Sequence, residues 1–383
     1  MTNRREMLRL MGVHAAALAA AGCVRNVSAG RPYLVDRTGM LRGTRRFVPV
    51  DISADRRVRS TVGLRPYRNS GFRVESERLD DKQLIHNYGH GGGGMTLSWG
   101  TANLAVRLMR ETPPNAAVAV LGAGVVGLTT AILLQRLGYD VTIYAAAAWP
   151  HTTSNASAAT FYPSHVVSAD LVSPPFAAQF ESALARGYHA VQRLTGARYG
   201  VKWLDSFSLS NGAGAGGPAD LETQLQDKIV GQPGRALEAH EHPFAAKRVW
   251  QGRDLVMEPM TYLRALLEDV QLAGGKVVIR RFETLRDVAQ LPQSVVFNCT
   301  GLGSRTLVGD RELRPARGQL CVLPPQPEVD YTLYHGPFYY MVPRDDGIIL
   351  GGTFELDNAS TTADAKTDAT LIGAHQPVFE AMK

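Results

Sequence analysis

Cysteine is scarce in this 383-residue chain, where Cys23, Cys299 and Cys321 are the only three. Cys299 and Cys321 each sit in an apolar run, so they read as buried thiols and not as a disulfide framework. No CxxC or HExxH spacing occurs, and no metal site is expected. Long apolar runs are missing too. Residues 12–22 form a mildly apolar, alanine-rich stretch, too short and too weak for a stable membrane span. There is no basic helix and no basic stripe with interleaved aromatics. The formal charge of +6 is modest for this length, so no nucleic-acid partner is expected. No internal repeat is visible. What remains is an ordinary globular composition, 45% hydrophobic and 20% charged, long enough for one large or two interwoven domains.

The first residues read as an address. Asn3-Arg-Arg-Glu-Met-Leu-Arg9 is a twin-arginine pattern, followed by the alanine-rich stretch. That export route carries folded proteins, which suits an enzyme that takes up a cofactor before crossing. Ala20-Ala-Gly-Cys23 partly matches a lipoprotein cleavage site, although alanine at its first position fits poorly. A lipid at Cys23 and a frayed, uncleaved helix both stay open. The expected location is exported and periplasmic. Residues 1–30 are taken as the signal region and 31–60 as an N-terminal extension without a functional reading. Within it, Phe47–Ile52 reads as an edge strand, because Pro49 cannot donate to a ladder. Asp51–Arg59 reads as charged surface.

The chain is organised around Val118-Ala-Val-Leu-Gly-Ala-Gly-Val-Val-Gly127. Four apolar residues predict a buried strand. Gly122-x-Gly124-x-x-Gly127 follows, then a segment of helical spacing to Leu137, then a second strand at Tyr139–Tyr144. Strand, glycine turn, helix and strand form the context in which this motif binds a dinucleotide. Gly122 permits the tight turn, Gly124 lets the backbone approach a pyrophosphate, and Gly127 lets helix and strand pack closely. The amides at the helix start, Val125 among them, face the anion. An empty doubly wound unit is the structural alternative.

A second glycine-rich turn lies upstream, in Leu84-Ile-His-Asn-Tyr-Gly-His-Gly-Gly-Gly-Gly-Met-Thr-Leu-Ser-Trp-Gly-Thr-Ala102. Gly91 to Gly94 allow positive φ and exposed amides, and a helical pattern begins at Met95. His86 and His90 invite a catalytic reading, but the simpler one is that they hold loop geometry through side-chain hydrogen bonds. Arg65, in Thr61–Arg68, is on its own terms a surface residue in an apolar turn or a planted anion clamp. Further along, helices are predicted over 175–200, 259–272 and 368–382. A strand is predicted at 276–279, another at 294–301 running into a turn, and a hairpin joins 339–343 to 347–352. Residues 212–217 read as a flexible loop.

Together these motifs resemble the D-amino-acid oxidase family of FAD-dependent enzymes. The Leu84–Ala102 stretch matches the family's signature. Tyr144–Pro163 is similar to the loop after its second strand. Asn298–Gly301, Arg317-Gly-Gln319, Tyr340–Pro343 and Gly351–Phe354 complete the set. The order differs: in the family the dinucleotide motif opens the chain, and the arginine loop and histidine signature close it. A circular permutation accounts for this. It implies that Lys383 lies near residues 55–61 and that the Leu84 loop faces Gly122.

The resemblance implies an α/β fold. A doubly wound, Rossmann-type FAD-binding domain would be interleaved with a mixed-sheet α+β substrate domain. The FAD-binding part is assigned to 61–165 and 256–318, the substrate part to 166–255 and 319–383. It implies FAD as cofactor and oxidative deamination of a D-amino acid with oxygen, giving a 2-oxo acid, ammonia and hydrogen peroxide by hydride transfer. Arg65 matches the carboxylate clamp, Tyr340 a second carboxylate contact and Tyr334, more loosely, the other tyrosine. Gly92 matches the glycine whose carbonyl accepts from the amine. Gly91, Gly94, Met95 and Thr96 match flavin-ring contacts, and Thr152, Thr153, Ser154 and Thr300 match cofactor-lining positions. Core aromatics of a hairpin remain the alternative for the tyrosines. One departure stands out: where the family has Asp-Arg after the second strand, this chain has Ala146-Ala147. A related glycine, sarcosine or D-aspartate oxidase, for which Arg344 is the nearby cation, and a non-catalytic exported flavin-binding protein are carried as alternatives. A homodimer is left open.

Overall fold

The structure, a computed structural model, describes residues 33–35, 41–43, 45–212, 219–231 and 234–382. The twin-arginine segment, Cys23 and nearly all of the loop expected at 212–217 lie outside these residues. The chain divides into two compact units, Met1–Phe47 and Val48–Lys383. In the first, β1 (Tyr33–Val35) and β2 (Leu41–Gly43) form an antiparallel ribbon. The second carries two sheets.

The first sheet has the strand order β11-β7-β6-β12-β5-β4. Its members are β4 (Arg73–Leu79), β5 (Lys82–Tyr88), β6 (Ala117–Leu121), β7 (Asp140–Ala145), β11 (Lys276–Ile279) and β12 (Val295–Asn298). All neighbours pair in parallel except β4, the antiparallel edge strand. The central strand β6 reads as a continuous apolar run because both of its faces are covered. Val118 and Val120 enter a core shared with α1 (Gly94–Val106), α2 (Val125–Arg136), α3 (Pro174–Gln192) and α5 (Pro259–Leu272). Ala119 and Leu121 enter a smaller core on the other face, with Leu84, Val288, Val296 and Leu307. The helix α4 (Leu221–Ile229) packs on α3.

The second sheet is mixed, in the order β17-β13-β16-β15-β14-β8-β10-β9 with β3 paired to β13. It contains β3 (Arg59–Arg68), β8 (Val201–Ser210), β9 (Arg235–Leu237), β10 (Arg248–Met257) and β13 (Leu313–Leu323). β14 (Tyr331–His335), β15 (Tyr339–Arg344), β16 (Gly347–Gly351) and β17 (Glu355–Leu356) complete it. The C-terminal helix α6 (Ala365–Glu380) docks through Asp368, which accepts from Ser60 Oγ at 2.6 Å and from Arg57 Nη1 at 3.3 Å.

Helices at 259–272 and 365–380, the strand at 276–279 and the hairpin of β15 and β16 form where periodicity and turn residues predict them, and the helix expected over 175–200 forms but stops at Gln192. Three expectations are corrected. Phe47–Ile52 is not a strand. Its backbone groups bond to side chains instead: Tyr331 Oη donates to Val48 O at 2.9 Å, and Gln326 pairs with both the amide and the carbonyl of Asp51. Thr61–Arg68 is not a turn but most of β3, with Pro66 opposite Pro315 on a strand bonded along one edge only. Consequently β3, placed by sequence in the FAD-binding part at 61–165, belongs to the mixed sheet, as does the start of β13 before residue 319. Lys383 lies outside the described residues. Met382 Sδ sits 4.0 Å from the Tyr331 hydroxyl that also bonds Val48.

Candidate active site

In the parallel sheet the chain runs outward from β6 through β7 to β11, then returns to the other side of β6 as β12. That reversal opens a crevice beyond the carboxyl ends of the strands, the ligand position in open α/β sheets. Three turns meet there: Gly122–Gly124 after β6, Cys299–Gly301 after β12, and Gly89–Gly94 after β5. The two glycine-rich loops, distant in sequence, open onto one cavity of about 1670 Å³. A drug-sized ligand site is roughly 300–1,000 Å³, so this one suits an extended cofactor with a substrate beside it.

The dinucleotide arm is built tightly. Gly122 has φ +109°, and a Cβ there would lie 3.0 Å from the carbonyl carbon of Cys299. Gly127 does not reach the cavity; a Cβ on it would overlap the Gly122 carbonyl. It is the residue that lets α2 close onto the turn, as its spacing predicts. The Val125 amide at the start of α2 donates to Ser154 Oγ at 3.1 Å, which fixes the Thr152–Ser154 loop over that helix end. Thr152 Oγ1 donates to Asn155 Oδ1 at 2.8 Å, and Thr300 Oγ1 to Asn298 Oδ1 at 2.8 Å. Thr152, Thr153, Ser154 and Thr300 all line the cavity, as do Gly122, Gly124 and Val125.

At the second arm, Gly91, Gly92, Gly94 and Met95 line the cavity. A Cβ on Gly91 would sit 2.9 Å from the His165 carbonyl carbon, and one on Gly92 2.5 Å from Ser164 O. The glycines are therefore required by a close backbone crossing. Thr96, in the first turn of α1, is buried and is not among the residues lining the cavity. His86 and His90 hold structure, as their simpler reading has it. His86 Nδ1 accepts from Asn298 Nδ2 at 3.2 Å, and His90 Nε2 lies 2.9 Å from Thr101 Oγ1. Burial drops the His90 pKa to about 3, so the ring is neutral.

Arg65 projects from β3 into the far end of the cavity. Its Nη1 donates to Thr353 O at 3.2 Å, and its guanidinium lies 5.8 Å from the centre of the Phe354 ring. Phe354 stacks in turn on His165, with 4.2 Å between ring centres. No carboxylate among the described residues pairs with Arg65, whereas Arg68, Arg317 and Arg344 each have one. Gly318, directly beneath, leaves the room: a Cβ there would be 2.6 Å from Nη2. Tyr340 lines the same end; burial raises its pKa, and the Arg65 and Arg344 charges oppose that.

Tyr334 faces Tyr340 across β14 and β15, but its hydroxyl donates to Asp254 Oδ2 at 2.6 Å and is not free for a substrate carboxylate. Arg344 is also committed. It forks onto Asp346 with two contacts of 2.7 Å, donates to Ser157 O at 2.9 Å, and is not among the residues lining the cavity. Sequence reasoning missed His165 and Asp254, since neither belongs to a motif.

At the other end, Ala145, Ala146 and Ala147 line the cavity together with Arg280, Arg281, Phe282 and Glu283 from the segment after β11. The Arg280 amide donates to Ala145 O at 2.9 Å, and its guanidinium lies 4.6 Å from the centre of the Phe282 ring. This end thus lacks an acid directly after β7 but is walled by Phe282, Arg280 and the Arg281–Glu283 pair.

A helix-start turn that excludes any Cβ, hydroxyls along the middle of a long crevice, and a mixed sheet closing one end fit a dinucleotide-dependent enzyme. Residues 9–108 and 117–381 match the family described as DAO, FAD dependent oxidoreductase. The D-amino-acid oxidase of Streptomyces coelicolor is 30% identical over 260 residues, 67% of this chain and 75% of that protein. The D-amino acid oxidase of Dugesia ryukyuensis is 26% identical over 277 residues, 70% of this chain and 78% of that protein. Among solved structures, the glycine oxidase of Bacillus cereus shares the fold at a TM-score of 0.51 and 14% identity, covering 70% of this chain and 79% of that one. The chain belongs to the DAO family of FAD-dependent oxidoreductases, and its cofactor is FAD. The turns at Gly122 and Gly91 and the hydroxyls of Thr152, Ser154 and Thr300 fit that cofactor.

Proposed function

We propose that this protein oxidises D-amino acids to 2-oxo acids, releasing ammonia and reducing oxygen to hydrogen peroxide. The observation that carries the reading is Arg65: a cation facing the cavity with no acidic partner among the described residues, beside the half-buried Tyr340. A guanidinium so placed takes a carboxylate bidentately, which a lysine could not reproduce. The names of the relatives agree with that substrate class.

FAD, when bound, supplies the acceptor for the hydride leaving Cα and hands the electrons on to oxygen. The protein orients. Arg65 fixes the carboxylate, and Tyr340, whose raised pKa keeps it protonated, donates a second hydrogen bond. The Gly92 carbonyl is assigned to the amine. No titrating base at the cavity wall is needed: burial depresses both His90 and His165, and Arg65 depresses His165 further. The amine loses its proton to solvent, and water then hydrolyses the imino acid. The catalytic gain comes from holding the reacting carbon in place.

The test is direct. The purified protein is expected to be yellow, and a D-amino acid added without air to bleach it, while Arg65→Ala keeps the flavin and loses most substrate affinity. Colour that no amine bleaches would instead support a non-catalytic flavin-binding protein, the reading that the Ala145–Ala148 run motivates. The D-aspartate alternative has lost its cation, because Arg344 is spent on Asp346.

Two further readings belong with this proposal. Export through the twin-arginine route rests on Asn3–Arg9; replacing Arg4 and Arg5 by lysine is expected to retain the protein inside the cell. A circular permutation is supported by the family match, which breaks between residues 108 and 117, and by the contacts of Ser60 with Asp368. Joining the C-terminus to residue 48 through a short linker and opening the chain near Pro113 is expected to give a folded, yellow protein. A colourless, insoluble product would count against it.

A further inference from the structure

The sheet face that floors the cavity carries a carboxylate for which the proposed reaction has no use. Trp250, Gly252 and Asp254 share one face of β10 with Ser206 and Ser208 on β8 and line the cavity; Arg253 also borders it, with its guanidinium 5.3 Å from the centre of the Trp203 ring. Thr332 Oγ1 and Tyr334 Oη each donate to Asp254 Oδ2 at 2.6 Å, and Ser206 adds a third side-chain hydrogen bond. Three hydroxyls thus converge on one acid and offset in part the burial that raises its pKa. Three other screened carboxylates have a cation at hand: Glu258 has Lys202, Asp310 has Arg68 and Asp346 has Arg344, while Glu222 is held by the backbone amides of Val166 and Val167. Among the described residues Asp254 has none. A half-buried charge without a partner is costly, and one on a ligand wall is relieved when the ligand brings the opposite charge.

The spacing says which part of the ligand that is. Tyr340, at the Arg65 end, and Tyr334 are direct cross-strand neighbours, about 5 Å apart at Cβ. Asp254 lies beyond Tyr334. A carboxylate held by Arg65 and Tyr340 keeps its own α-amine too close to reach Asp254. A cation at the end of a side chain of three or four methylenes spans the gap. We propose that Asp254 sets the substrate class: the enzyme prefers D-amino acids with a cationic side chain, which the Asp254 carboxylate receives. This rests on the D-amino-acid reading above.

The experiment uses the holoenzyme and two matched pairs, D-arginine against neutral D-citrulline and D-lysine against D-norleucine. The readout is kcat/KM from anaerobic flavin reduction. The wild type is expected to favour the cationic member of each pair at least tenfold. Asp254→Asn is expected to bring both ratios close to one. A wild type that turns over the neutral members equally well or better overturns the inference and leaves the D-amino-acid reading intact. So does a variant that loses the same factor on all four substrates, since that marks a positioning role. If none of the four reduces the flavin, the reading it rests on falls too. The wild-type ratios alone decide the matter if the variant does not fold.

Discussion

Gly318→Ala isolates the carboxylate clamp without touching it. The backbone at Gly318 is not left-handed, so alanine is conformationally acceptable. The new Cβ would lie 2.6 Å from Arg65 Nη2 and 2.7 Å from Cζ. Ordinary non-bonded contact is about 3.5–4.0 Å, so the guanidinium has to retreat by roughly 1 Å. It is the free end of a flexible side chain, held by one bond to Thr353 O and by the Phe354 ring. The fold is therefore expected to lose only about 1 kcal/mol, the low end for overpacking. Catalysis is more exacting: a misplacement of about 1 Å commonly costs roughly 100-fold, equivalent to about 2.7 kcal/mol of transition-state stabilisation. The assay has three readings on one preparation: thermal midpoint, FAD content, and kcat/KM for anaerobic reduction by a D-amino acid. The expected pattern is near-normal stability, full flavin and a kcat/KM down by about two orders of magnitude. Wild-type kinetics in Gly318→Ala would mean that no substrate carboxylate sits on Arg65, and the orientation argued above would be wrong.

Other perturbations probe the remaining parts. Gly127→Ala drives a methyl into the backbone carbonyl of Gly122, which cannot step aside; a loss at or above the usual 1–3 kcal/mol of overpacking is expected, seen as a lowered thermal midpoint with poor flavin retention. Ala146→Asp returns an acceptor to the ribose end, and one net hydrogen bond of about 0.5–1.5 kcal/mol should tighten FAD roughly 2- to 12-fold; equilibrium dialysis against FAD measures it, and unchanged affinity would show that the Arg280–Glu283 wall already does that work. Acid should destabilise the protein well before its carboxylates titrate. Burial holds His90 at about 3 and His335 at about 4, and also lowers His86, His165 and His375. The unfolded chain therefore binds more protons than the fold below about pH 6.5, and stability present above that value is lost as pH falls towards the folded values. Each such proton contributes a slope of at most about 1.4 kcal/mol per pH unit. The urea midpoint is expected to drop between pH 7.5 and 5.5, and a flat midpoint would contradict the burial of these rings as neutral groups.

What sequence makes legible here is what short stretches encode. A strand covered on both faces is apolar at every position, and a turn that admits no Cβ is glycine, so both arms of the cofactor crevice could be read from Val118–Gly127 and Leu84–Ala102. Arg65 could be placed only through the family resemblance. Alone it sat in an apparent turn, because Pro66 masks a strand that has one bonded edge. Thr96 is placed by the same resemblance, and the structure buries it in the first turn of α1, against α3. Asp254 was invisible. Its meaning comes from hydroxyls on β8 and β14, which no linear pattern joins to β10.

The positions of the two glycine loops point to a broader property of the crevice. β5, β12 and β6 are parallel neighbours, and each ends in a turn at the same edge. Parallel pairing aligns strand ends whatever the order of the connections, since each crossover runs over one face or the other of the sheet. A site built on those ends needs strand adjacency, not chain order. The Arg65 strand obeys the same logic, being held by a ten-pair register with β13 and not by the sequence on either side of it. Moving β3 to β5 from one end of a chain to the other would therefore leave the clamp and the glycine cradle facing each other, provided that the helix after β5 and the strand β6 can be joined. The Arg110–Asn115 linker makes that join, and Asn115, with φ +63° and its amide bonded to Gly138 O, is where it turns into the sheet.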